Sequence, residues 1–172
     1  MPVTTVASVD DLPLFTDWNL ATPPGRTHRY FTGTPLIPFG WGLSYVDFRY
    51  DVLAVSPPTL APTGESVTVA ARVTHAGGMA LAADEVVMLF AGFQAESTGL
   101  SSVPRQQLIA FERLHSLMPG ESRNVSFLVP RSALALVDAV GAMRVQSGEW
   151  KLWLGGGPPT SAGVLHGSLI VQ

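Results

Sequence analysis

From Tyr45 onward the chain alternates between short apolar runs and turn-forming residues. Val67, Val69, Ala71 and Val73 alternate with Thr68, Ala70, Arg72 and Thr74, the period-two signature of a strand with one buried face. Val125, Phe127 and Val129 do the same against Asn124, Ser126 and Leu128, until Pro130 stops the run. Val86-Val87-Met88-Leu89-Phe90 has no polar interruption and predicts a central strand covered on both faces. Strands are also predicted over Phe48–Val55, Gln107–Leu114 and Val164–Val171, and a hairpin from Ala142–Val145 and Trp150–Leu154 around Gln146-Ser147-Gly148. Ser56-Pro57-Pro58, Ala76-Gly77-Gly78 and Met118-Pro119-Gly120-Glu121 read as turns, and residues 94–104 as a loop rich in Ser and Gly. Ser132–Val137 predicts one helical turn crossing between sheets, with Ser132 as its cap. About seven strands at this spacing predict an all-β fold, an immunoglobulin-like antiparallel sandwich.

Residues 1–44 behave differently. Val3, Val6 and Val9 stand among small polar residues, and Asp10-Asp11-Leu12-Pro13 and Ala21-Thr22-Pro23-Pro24-Gly25 read as turn and loop. Arg26–Phe31 alternates weakly and predicts a strand. The stretch Pro35-Leu36-Ile37-Pro38-Phe39-Gly40-Trp41-Gly42-Leu43-Ser44-Tyr45 is uncharged, aromatic and broken by Pro and Gly. Pro38 removes a backbone donor, and Gly40 and Gly42 admit angles that a side chain forbids. Bulky rings without regular structure must borrow a surface. The stretch is therefore read as a structural junction, with Phe39, Gly40, Trp41, Gly42 and Tyr45 packed between the sandwich and what precedes it.

Those residues also carry a resemblance. Pro38-Phe39-Gly40-Trp41-Gly42-Leu43-Ser44-Tyr45 followed by Phe48 resembles the signature Pro-Phe-Gly-(Tyr/His)-Gly-Leu-Ser-Tyr-Thr-x-Phe of family-3 glycoside hydrolases. In that family the signature precedes a C-terminal fibronectin type III-like domain. Pro24-Gly25-Arg26-Thr27-His28-Arg29-Tyr30 resembles the Pro-Gly-Arg-Thr-Tyr-Arg-(Tyr/Phe) segment of its β-xylosidase branch. Trp41, His28 and Val46-Asp47 depart from the pattern. The resemblance implies that residues 1–44 are the tail of an α/β sandwich domain plus the junction, and that 45–172 are the fibronectin type III-like domain. It implies a parent that hydrolyses terminal β-glycosidic bonds with retention, in carbohydrate or xylan catabolism. The nucleophilic aspartate and the acid/base glutamate of such enzymes lie in segments with no counterpart here. The chain is therefore expected to be a non-catalytic fragment that packs on the catalytic domains in cis. An independent carbohydrate-binding or protein-interaction module is the alternative.

Composition narrows the partners. The 172 residues are 47% hydrophobic but only 13% charged, so part of the surface is expected to be covered by other protein. A net charge of −3 argues against nucleic acid and anionic membranes, and no apolar run is long enough to span a bilayer. There is no cysteine, which excludes disulfides, thiolate metal sites and a cysteine nucleophile. Met1-Pro2-Val3-Thr4-Thr5 has neither the basic region nor the apolar core of a signal peptide. The resemblance favours an extracellular or secretory parent whose beginning lies elsewhere.

Candidate chemistry is sparse. Asp10-Asp11 and Asp84-Glu85 are sequence neighbours, which alternation on a strand would send to opposite faces, so no catalytic carboxylate pair is expected. Thr16-Asp17-Trp18 mimics the Ser-Asp-Trp nucleophile motif of the family, but no apolar strand leads into it, and a turn aspartate is the better reading. His28, His75, His115 and His166 lack ligand spacing, Gly42-Leu43-Ser44-Tyr45-Val46 fails the nucleophile elbow, and Gly155-Gly156-Gly157 lacks the lysine of a phosphate loop. No metal or cofactor is expected. Asn124-Val125-Ser126 is a candidate glycosylation sequon. Trp150 and Trp153 fall on opposite strand faces, one expected in the core and the other at the surface, a weak platform for polysaccharide contact.

Overall fold

The computed structural model describes residues 1–94, 102–138 and 140–172. Among these residues ten strands run β1 (Val46–Ser56), β2 (Thr59–Leu60), β3 (Ser66–Gly78), β4 (Ala83–Phe93), β5 (Gln107–Leu117), β6 (Ser122–Pro130), β7 (Ala135–Val137), β8 (Met143–Val145), β9 (Gly148–Gly155) and β10 (Leu165–Val171). Seven are long, and β2, β7 and β8 are two or three residues each. One sheet has the order β1-β3-β6 and the other β2-β10-β9-β4-β5; β7 and β8 pair separately. Among the described residues, only β2 on β10 is parallel. The fold is the expected all-β sandwich, preceded by an irregular extension.

The core lies between the two sheets. Val67, Val69, Ala71 and Val73 of β3 and Val125, Phe127 and Val129 of β6 face Val87, Leu89 and Ala91 of β4 and Trp150, Leu152 and Leu154 of β9. The indole of Trp150 is fully buried and donates to the Gln146 carbonyl at 3.0 Å, so its one polar atom is satisfied. Gly120, with a φ of 79°, closes the β5–β6 turn while Glu121 donates to the Met118 carbonyl at 2.9 Å.

Three local expectations are corrected. Arg26–Phe31 is not a strand: Thr27–Tyr30 is one helical turn, and Gly25 at φ 87° abuts the Tyr30 carbonyl where any Cβ would clash. Arg131–Leu134 is a 3-10 turn entered from Pro130, without side-chain capping by Ser132, and Ala135–Val137 is already strand. Met143–Val145 does not pair with β9; it pairs back onto β7, because Asp138 closes that tighter turn by accepting from the backbone of Val140 and Ala142 and from Arg144. The predicted loop at 94–104 falls largely outside the described residues.

Candidate functional site: an aromatic junction and an acidic cleft

The extension lies across the outer face of the five-stranded sheet. On β4, Leu89 points into the sandwich, so Phe90 points out, yet Phe90 is fully buried. Its cover is Phe39 and His28, stacked on each other with ring centroids 4.1 Å apart and both set edge-on to Phe90 at 6.1 and 6.3 Å. Gly40, at φ 83°, passes so close to Met88 that a Cβ would sit 2.8 Å from its methyl. Backbone bonds tie the extension to itself: Thr5 and Ile37 exchange two, at 2.8 and 3.1 Å, and Gly40 donates to Met1. Arg105 ties it to the sandwich, donating through its backbone to Arg29 and through its guanidinium to the Phe31 carbonyl. Burial holds His28 below the ordinary histidine range, because a charged ring between two phenyl groups loses its hydration.

The junction residues do not share one environment. Phe39 is docked, but Trp41 is 41% and Tyr45 81% exposed. Of the three rings expected at the junction, Phe39 lies on the sheet while Trp41 and Tyr45 face solvent. Trp41 donates its backbone N–H to Pro38 in a turn at 3.1 Å, and this turn carries the chain off the sheet. Nothing lies within 4 Å of a Cβ built on Gly42, and nothing in the structure demands a glycine there.

Beside the junction is a cleft of about 710 Å³. Trp41, Leu43, Val86, Met88 and Phe111 form its apolar walls, and Asp47, Asp84 and Glu85 reach it. The cleft takes in both acids although they keep their alternation on β4: Asp84 pairs sideways with Arg113 and His115 of β5, whose extra residue shifts the register between Ala83 and Glu85, while Glu85 reaches across to Tyr50 of β1. Their settings differ. Asp84 accepts from the Ser116 backbone at 2.8 Å, Arg113 at 2.9 Å and His115 at 3.0 Å, which holds it down at about 2. Glu85 is part-buried, accepts from the Tyr50 hydroxyl, and is pushed above the ordinary carboxylate range by desolvation. Burial and the neighbouring carboxylate push the Tyr50 phenol upward as well. Gly156 makes room for this pair: a Cβ there would meet Glu85 and the Tyr50 hydroxyl. The pairing joins residues 35 apart, and only the glycine triplet hinted at it in the sequence.

Comparison with known proteins settles the kinship. A family described as fibronectin type III-like domain matches residues 85–157. The chain is 30% identical over 164 residues to the periplasmic beta-glucosidase of Salmonella typhimurium, covering 90% of this chain and 20% of that protein. It is 30% identical over 146 residues to a probable exo-1,4-beta-xylosidase of Aspergillus fumigatus, covering 76% and 18%. The beta-D-glucoside glucohydrolase of Trichoderma reesei superposes with a TM-score of 0.75 at 25% identity, covering 99% of this chain and 26% of that one.

The chain carries the fibronectin type III-like domain of family-3 glycoside hydrolases. It spans about a fifth of the length of the curated relatives it matches, at their C-terminal portion.

Outside the cleft, the remaining candidates of the extension and of the fibronectin type III-like domain take plain places. Asp17 accepts from the Asn19 backbone at 2.8 Å and forms a turn, and that bond holds it below the ordinary aspartate range. Asp10 and Asp11 lie within a 3-10 turn, Val9–Asp11, capped by Ser8. His115 and His166 are exposed, whereas His75 is buried, edge-on to Phe48, with Nε2 3.1 Å from the Leu81 carbonyl. Asn124 is exposed on β6, on the face opposite Val125. Trp150 is core; Trp153 lies half-buried on the outer face with its ring over Gly92, where a Cβ would collide with it.

Proposed function

We propose that this chain is the non-catalytic C-terminal portion of a glycosidase that hydrolyses terminal β-glycosidic bonds, of the β-glucosidase or β-xylosidase kind. It packs against and stabilises catalytic domains in the same polypeptide. Residues 1–44 form the end of the preceding α/β domain and the junction at Phe39, Gly40, Trp41, Gly42 and Tyr45, and residues 45–172 form the sandwich. The observation that carries this reading is the coverage: nine tenths of the chain align with only one fifth of a β-glucosidase. The acids support it, because a retaining glycosidase needs two carboxyl groups ~5–5.5 Å apart with free oxygens. Asp84 is held by three donors and Glu85 by Tyr50. The purified chain is expected to show no turnover of aryl β-glucoside or aryl β-xyloside. Turnover that survives repurification and vanishes in Glu85→Gln would overturn the reading.

A second reading, polysaccharide binding, is favoured by Trp41 and Phe111 on one cleft. Affinity electrophoresis in xylan and glucan gels tests it, with retardation abolished by Trp41→Ala as the supporting result.

A further inference from the structure

Arginines that the fold draws in from water find acceptors elsewhere in this molecule. Arg113 and Arg144 pair with carboxylates, and Arg105 and Arg131 donate to main-chain carbonyls. Arg29 is different. Its backbone is clamped: the N–H donates to the Thr27 hydroxyl at 3.2 Å, and the carbonyl accepts from the backbone of Arg105 at 2.7 Å. Its side chain is half-buried, with the guanidinium carbon 5.8 Å from the centroid of the Tyr30 ring. Yet Nε is buried without a partner. Among the described residues the guanidinium makes one long bond, from Nη2 to Gln107 Oε1 at 3.4 Å. Gln107 is held in place by donating through Nε2 to the Ala133 carbonyl at 3.2 Å. A guanidinium cannot shed its charge, so one that is partly withdrawn from water without a carboxylate lowers stability.

Arg29 lines a second cavity, of about 670 Å³, which shares Phe39 and Leu108 with the cleft and reaches the 3-10 turn and β7. Leu136 and Met143 complete its apolar wall, while Tyr30 and Ser132 bring hydroxyls that bond to no described residue. Asp138 is the one acid lining it among the described residues, and it is already taken by Arg144 and by the backbone of Val140 and Ala142.

We propose that this cavity binds a carboxylate-bearing saccharide, a uronic acid unit, with its carboxylate on the guanidinium of Arg29 and its ring hydroxyls towards Tyr30 and Ser132. The charge selects an anion, because Arg29 has a planar fork of donors and no acid to occupy it. The count of cations selects a carboxylate over a phosphate: a single guanidinium beside the Asp138 carboxylate suits one negative charge, not two. The walls select the rest of the ligand. A volume of this size holds a small molecule rather than an ion alone, and apolar surface interrupted by free hydroxyls matches a sugar ring, whose faces are apolar and whose edges are polar. Such a site is independent of any packing on catalytic domains.

The test is a titration of the whole chain, followed by amide chemical shifts in NMR at neutral pH, with three probes. Methyl β-D-glucuronide should shift the signals of Arg29, Gln107 and Ser132 and saturate. Methyl β-D-glucoside has the same ring without the carboxylate and should bind about tenfold more weakly or not at all, the usual worth of a charge-assisted hydrogen bond. Cyclohexanecarboxylate has the charge without the hydroxyls and should bind several-fold more weakly. Added salt should weaken the glucuronide, because the contact is ionic. Arg29→Gln should cost about tenfold or more in affinity. If that variant does not fold, Arg29→Lys, which keeps the charge and loses the fork, takes its place and should cost about threefold or more. Arg72→Gln, an exposed cation on the opposite sheet, should bind as wild type. No shift at the cavity residues, equal binding of the glucoside or of cyclohexanecarboxylate, or a folded Arg29 variant that binds like Arg72→Gln overturns the proposal.

Discussion

Strands β4 and β6 belong to opposite sheets and present opposite outer faces. β6 is an edge strand whose inward Val125, Phe127 and Val129 are buried while outward Asn124, Ser126 and Leu128 meet solvent. β4 is central, and from Val87 to Phe93 every residue is buried, because the extension lies on its outer side. The contrast explains why one run alternates in the sequence and the other is continuously apolar. A continuous apolar run along a strand records a second layer, whereas a lone outward apolar residue such as Leu128 does not. Here that layer comes from residues far upstream rather than from another strand.

The comparison breaks most sharply at Phe90. If the outer face of β4 is a second core, Phe90→Ala should destabilise the chain by ~3–5 kcal/mol, the usual cost of truncating a buried aromatic. At ~2–4 °C per kcal/mol for a chain of this size, the thermal midpoint followed by circular dichroism should drop by roughly 10 °C. A shift of only a degree or two would mean that the extension does not hold its place.

Tyr50→Phe probes the cleft margin, where β1 of one sheet meets Glu85 of β4 in the other. It leaves the carboxyl of Glu85 without its donor, which typically costs ~1–3 kcal/mol. Because the lost hydrogen bond favoured the ionised form, the pKa of Glu85 should rise further, measurable by carbon-detected NMR titration. A midpoint and titration equal to the wild type's would show that the pair is not formed.

Acidification sharpens the comparison by loosening only the covered face. The folded state holds His28 below its ordinary value of 6.5. The unfolded chain therefore takes up that proton first, and stability falls as the pH drops from 6.5 towards the lower folded value, then levels off. Near-ultraviolet circular dichroism should show aromatic packing weakening over that window, and His28→Leu should flatten the profile. A His28→Leu profile that keeps the wild-type slope would assign the effect elsewhere.

The smallest effect belongs to the solvent face. Leu128→Ser on β6 should leave stability within about 0.5 kcal/mol of wild type, as most surface substitutions do. A larger loss in chemical denaturation would show that this face is covered as well.

The strands that form the sandwich were readable because each advertises itself locally. Val67 to Val73 and Val125 to Val129 alternate, Val86 to Phe90 does not, and all three became strands of the burial they imply except at Val86, which stays exposed. The misread segments are those in which a partner elsewhere decides. Met143–Val145 looks ready to form a hairpin with the Trp150 strand, but β9 is taken on both edges by β4 and β10. Arg26–Phe31 has the alternation of a strand and no strand to pair with, so it closes a helical turn over Gly25. The acids show the same limit, since the partners of Asp84 on β5 and of Glu85 on β1, and the cleft that takes in both, exist only in the folded chain.

By itself, then, the sequence determined the fold class, the kinship through the Pro-Phe-Gly-Trp-Gly-Leu-Ser-Tyr signature, and that one of Trp150 and Trp153 lies in the core. These depend on residues a few positions apart, whose mutual geometry the backbone sets directly. Only the tertiary structure decided that Phe39 docks while Trp41 and Tyr45 stand out, that His28 stacks over Phe90, and that Tyr50 donates to Glu85 beneath Gly156. Each of these contacts joins segments that approach only after the two sheets have closed and the extension has folded back. No local periodicity carries their distances.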